Sequence, residues 1–166
     1  MEFQTIEQFL LYYLKIKERS RRLFEHIPAK QIEWTYQKGR FTIGDLIRHI
    51  AAIERYMFAE NVQLKPSRYA GCGPDLANGY EDIINYYDQM QRECQAIYSQ
   101  LSDSDLQRKC KTPAGIEITS WKWLRGMIEH EIHHRGQLYI YLGMLNIQLP
   151  PLFGLTSEEV ISKSVH

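Results

Sequence analysis

Residues 120–146 read SWKWLRGMIEHEIHHRGQLYIYLGMLN. Trp123, Leu124, Met127, Ile128, His130, His134, Leu138, Tyr141 and Leu145 recur at intervals of three and four, the period of one helix face and not of a strand. An amphipathic helix this long needs partners for its apolar stripe, and three other segments carry the same period. Ile6, Phe9, Leu10, Tyr13, Leu14, Ile16, Leu23 and Ile27 predict a helix near 5–26, stopped by Pro28. Leu46, His49, Ile50, Ile53 and Met57 form one stripe of a helix near 43–62, with Thr42 as its cap and Asp45 at its positive end. Ile83, Ile84, Tyr87, Met90, Cys94, Ile97, Tyr98 and Leu101 predict a third near 80–101.

The helices near 5–26, 43–62, 80–101 and 120–146 are joined by long Gly-, Pro- and polar-rich connections. They predict an all-α four-helix bundle filling a single domain, 1–166, whose connections leave room for at least one crossover. Thr112–Thr119 alternates weakly, as a short strand or an ordered loop would. Gly136 inside the last helix costs about 1 kcal/mol against Ala, which predicts a neighbouring helix backbone close against it.

Lys and Arg number 20 and Asp and Glu 20, so the formal charge is zero. A general nucleic-acid binder needs a basic footprint to neutralise phosphates, and no nucleic-acid partner is expected. Apolar residues at 44% and charged ones at 24% exclude a disordered chain. Cys72, Cys94 and Cys110 are odd in number and far apart, which argues against a disulfide framework and for a reducing compartment. The first residues lack a basic stretch followed by an apolar one, so no secretory signal is expected. Residues 136–157 carry no charge, but Pro150-Pro151 leaves a helical part of only about 14 residues, too short for a ~30 Å hydrocarbon core. A cytoplasmic protein with no membrane partner is expected.

The chemistry concentrates in Glu129-His130-Glu131-Ile132-His133-His134-Arg135-Gly136-Gln137. His130 and His134 stack on one helix face, and such a pair reaches one divalent metal without bending the backbone. His133 is turned from them by about 100°. Two ligands seldom suffice, and His49, which interrupts the apolar stripe of the second helix, is the candidate third. The spacing matches the His-Glu-x-x-His of zinc proteases, with Glu131 at the base position. No further ligand follows before Glu158, Glu159 and His166, so a protease is not expected.

Three blocks of the chain resemble the DinB/YfiT-like proteins, a superfamily of metal-binding four-helix bundles. Phe41-Thr42-Ile43-Gly44-Asp45-Leu46-Ile47-Arg48-His49-Ile50 is similar to that family's entry into the second helix. His130 through Leu138 is similar to its fourth-helix signature, and Leu142-Gly143-Met144-Leu145-Asn146 followed by Pro150-Pro151 to its helix exit. The resemblance implies His49, His130 and His134 as ligands of nickel, zinc or iron, with water in the open positions and His133 outside the ligand set. It also implies catalysis on a small-molecule substrate, since some relatives look like hydrolases. Others look like S-transferases that use a low-molecular-weight thiol such as bacillithiol, mycothiol or glutathione.

A metal on three neutral imidazoles keeps its charge and an open position, where a bound water or thiol loses its proton more easily. For hydrolysis, Asp45 is a candidate acid–base group, or merely a first-turn residue answering the helix dipole. For thiol transfer, Arg48, Arg125 and Arg135 are candidates to receive the thiol's carboxylates, or solvated surface residues. Arg135 has a simpler reading as a salt bridge to Glu131 four residues back. A non-catalytic, stress-related bundle is the third reading. Tyr12-Tyr13, Tyr86-Tyr87 and Tyr139 with Tyr141 place one ring of each pair off the core face, for amphipathic packing or for a homodimer interface, the state the resemblance also supports.

Overall fold

The computed structural model describes residues 2–165; Met1 and His166 lie outside the described residues. Helix α1 (Ile6–Phe24) starts where the Thr5 hydroxyl accepts the Gln8 N–H. Helix α2 (Ile43–Ile53) starts with a reciprocal cap. The Thr42 hydroxyl accepts the Asp45 N–H at 2.9 Å, and the Asp45 carboxylate accepts the Thr42 N–H at 3.0 Å. The chain then runs through one π-helical turn, Glu54–Phe58, into α3 (Ala59–Val62), which completes the expected second helix. Ala51 and Phe58 both face inward across this turn, with Glu54 between them.

Helix α4 (Tyr80–Ser99) is followed by the short α5 (Asp103–Gln107). An antiparallel hairpin, β1 (Lys109–Lys111) with β2 (Glu117–Thr119), then leads directly into α6 (Ser120–Met144). Its register pairs Cys110 with Ile118, so the weak alternation before Ser120 is a strand. The exposed α7 (Ser157–Lys163) ends the described chain. No helix among the described residues is long and apolar enough to cross a membrane.

Helices α1 and α2 each pack against both α4 and α6. The ring order is therefore α1, α4, α2, α6, and the connections entering α2 and α6 both cross the bundle's diagonal. The core has two apolar clusters. One holds Phe24, Ile43, Ile47, Ile83, Tyr87 and Leu138, the other Phe9, Tyr13, Phe58, Tyr98, Leu124 and Met127. Along α1, the second helix and α6 the switch from one cluster to the other falls at a polar layer containing Lys17, Ser20, Glu54, Glu131 and Arg135, all buried.

That layer overturns one expectation. Arg135 does not pair with Glu131; its guanidinium donates to the Ile16 carbonyl at 3.2 Å. Glu131 instead accepts from the Lys17 ammonium, from the Ser20 hydroxyl at 2.6 Å and from the Tyr87 hydroxyl at 3.2 Å. Lys17 also pairs with Glu54. Burial works against the Lys17 charge, yet Glu131 and Glu54 outweigh it and hold the ammonium pKa well above its usual value.

The glycine expectation also fails. A Cβ on Gly136 would meet nothing within 4 Å, because that face of α6 is exposed. The close approach is at Gly44, whose Cβ would lie 2.9 Å from Glu33 Oε1 and Ile83 Cδ1 and 3.0 Å from the Ile32 carbonyl. The Gly44 N–H donates to that same carbonyl at 2.6 Å, which presses the Ile32–Trp34 segment onto the first turn of α2. The tyrosine pairs divide as expected. Tyr13 and Tyr87 are buried, while Tyr12, Tyr86 and Tyr139 are only half-buried.

Candidate metal centre

His49 projects from α2, and His130 and His134 from successive turns of α6, into one space at the level of the polar layer. His49 Nε2 and His134 Nε2 each lie 3.0 Å from His130 Nε2. One ligand atom from each ring lies within 4.8 Å of the others. His133 is exposed and stays outside the group, with its ring 3.2 Å from the Gln137 amide nitrogen.

Burial, with His134 nearby, pushes the His49 pKa down to about 4. Burial and the other two rings push His130 down to about 3, and burial lowers His134 as well. All three rings are therefore neutral at pH 7. A neutral ring nitrogen offers one proton or one lone pair, never both. His130 Nε2 faces two nitrogens at hydrogen-bond distance and can satisfy only one of them. A divalent cation among the three satisfies all at once, since ligands of a tetrahedral ion with bonds of about 2.0–2.1 Å lie about 3.3 Å apart. The donor set fits a metal.

The outer nitrogens are held as ligating histidines require. His134 Nδ1 is 2.7 Å from Gln137 Oε1, and an amide oxygen only accepts, so the proton is on Nδ1 and the Nε2 lone pair faces inward. His49 Nδ1 is 2.7 Å from the Tyr69 hydroxyl. Gln137 thus acquires a role that its sequence position did not reveal. Tyr69 lies in a connection without periodicity, and no sequence signal pointed to it.

The remaining candidates are occupied elsewhere. Asp45 is tied to Thr42 and to Arg48, at 2.7 Å, and these partners hold its pKa below the usual carboxylate value despite partial burial. Its structural role as a cap is the one realised, and it is not free as an acid–base group. Arg48 is fully buried, not a surface cation, and binds Glu33, Asp45 and the carbonyls of Cys72 and Ala77. It clamps to α2 the two connections that wall the centre, one carrying Tyr36 and Phe41 and the other Tyr69. Arg125 pairs with Glu129 on the exposed side of α6. Arg48 and Arg135 are thus buried and not open to a thiol's carboxylates.

A sequence model of the DinB superfamily matches residues 13–138, a span that contains all three histidines. The chain belongs to the DinB superfamily. This DinB chain is 23% identical over 158 residues to the YrdA protein of Bacillus subtilis (strain 168), covering 95% of this chain and 93% of that one. Its fold is similar to the crystal structure of a DinB-like protein from Bacillus cereus ATCC 10987, with a TM-score of 0.78 at 21% identity, over 90% of this chain and 98% of that one. The DinB-like protein YjoA of Bacillus subtilis superposes with a TM-score of 0.70 at 22% identity, over 87% and 95% of the two chains. Likeness at such identities is a likeness of fold, and the bundle expected from the helical period is the DinB fold.

Proposed function

We propose that His49, His130 and His134 hold one divalent transition metal, nickel, zinc or iron, and that the protein is a metal-dependent hydrolase of a small molecule. The convergence of three neutral imidazoles on a central nitrogen that cannot satisfy both neighbours carries this reading. A bound metal supplies a Lewis acid that polarises a substrate oxygen and lowers the pKa of water. The chain supplies the rest. Gln137 and Tyr69 fix the two outer rings. Phe41, with its ring centroid 5.4 Å from that of His49, and Phe58, 6.1 Å from that of His130, limit the water around the centre.

One observation favours a second reading, thiol transfer. The ligating group contains no carboxylate and Asp45 is committed to its cap, whereas a coordinated thiol loses its proton without a separate base.

Protein purified without a chelating tag and reconstituted with metal should hold one metal per chain. His49→Ala, His130→Ala and His134→Ala should each lose it, and His133→Ala should keep it. Loaded protein should cleave members of an ester and amide panel without added thiol. Turnover only with a low-molecular-weight thiol would replace hydrolysis by thiol transfer, and the absence of stoichiometric metal would refute both.

A further inference from the structure

A cavity of about 340 Å³ opens beside His134, between α6 and the connection that leads into α2. Its volume is in the range of small-molecule sites, which combine apolar walls with a few polar groups. His134 and Gln137 line it, so it leads to the imidazole group. Tyr36, Phe41 and Tyr141 supply its aromatic walls. The Tyr36 and Tyr141 rings meet edge to face with centroids 5.5 Å apart, and the Tyr141 hydroxyl donates to the Phe41 carbonyl at 3.2 Å, tying the connection to α6. Arg40 is the one charged residue in the lining, and no acidic side chain accompanies it. Arg40 is exposed, and among the described residues its guanidinium has no ion-pair partner that would have to be displaced.

We propose that the substrate is a small carboxylate with a flat apolar body. The body lies against Tyr36, Phe41 and Tyr141, the carboxylate binds Arg40, and the reacting group is thereby delivered to the imidazole centre. Arginine presents a planar fork that matches a carboxylate, and aromatic faces prefer a flat partner to a branched one. The inference rests on the metal-centre reading above, and it assigns specificity to a residue that neither the helical period nor the histidine motif singles out.

The test uses zinc-loaded protein, with phenylacetate and 2-phenylacetamide as probes of equal shape and different charge, in titration calorimetry beside a metal assay. Phenylacetate should bind at least ten-fold more tightly than the amide. Arg40→Gln should abolish that preference with metal content unchanged, and Tyr36→Ala should weaken both probes alike. Equal affinity of the two probes, or no binding of phenylacetate, overturns the inference. So does a preference that survives Arg40→Gln, because the carboxylate would then be on the metal. A wild-type protein that takes up no zinc overturns the metal-centre reading and this inference with it. Stoichiometric zinc without a carboxylate preference overturns this inference alone.

Discussion

Lys17→Met tests the polar layer under the metal centre. Lys17 is 1% exposed, and its ammonium pairs with both Glu54 and Glu131. Met fills most of the volume of the lysine stem, so packing should cost under about 1.5 kcal/mol. Losing the cation leaves two buried carboxylates facing each other, and removing one partner of a buried pair costs about 3–5 kcal/mol. At about 2–4 °C per kcal/mol for a chain of this size, the melting temperature should fall by roughly 6–20 °C.

The sign of the pH dependence follows from the same layer. Burial already raises the Glu54 pKa, with Lys17 opposing the rise. Without Lys17 the folded-state pKa rises further above the unfolded value of about 4.3. Such a group is tolerated in its protonated form, so the deficit relative to wild type should be large at pH 8 and smaller at pH 5. Urea unfolding with a chelator present, at both pH values, measures this without a contribution from bound metal. Lys17→Met/Glu131→Gln should recover much of the loss at pH 8. A deficit below about 1 kcal/mol, within reach of packing alone, or one equal at both pH values, would refute the claim that the Lys17 charge holds this layer together.

Gly136→Ala should stabilise the protein by about 0.5–1 kcal/mol through helix propensity alone. Gly44→Ala should instead destabilise it, because an overpacking cost of about 1–3 kcal/mol opposes that gain; paired thermal melts decide between them. Tyr69→Phe and Gln137→Leu should each weaken metal affinity by about 10-fold or more in chelator competition, with far-ultraviolet spectra unchanged. In metal-free protein, His49 and His130 have folded pKa values of about 4 and about 3, below an unfolded value of about 6.5. The unfolded chain therefore binds more protons as pH falls through 6.5, and stability should drop; the drop between pH 8 and 5 should be shallower in His130→Asn, as followed by thermal unfolding.

The four long helices were legible because their period is local: α6 spans Ser120–Met144 against an expected 120–146. The convergence of the three histidines was legible for a related reason. A spacing of four fixes two rings on one helix face, and a polar ring within an apolar stripe points to the interior. The ring order of the helices was not legible, since a stripe states that a face is buried without stating against what. Nor was the polar layer. Nothing local pairs Lys17 with Glu131, 114 positions away, until the fold brings them together, and only that pairing makes their burial tolerable. Tyr69 and Arg40 come from connections, where no period marks which way a side chain points. Their places beside His49 and in the cavity beside His134 are set by the clamp that buried Arg48 makes on both connections, a tertiary arrangement that no local pattern encodes.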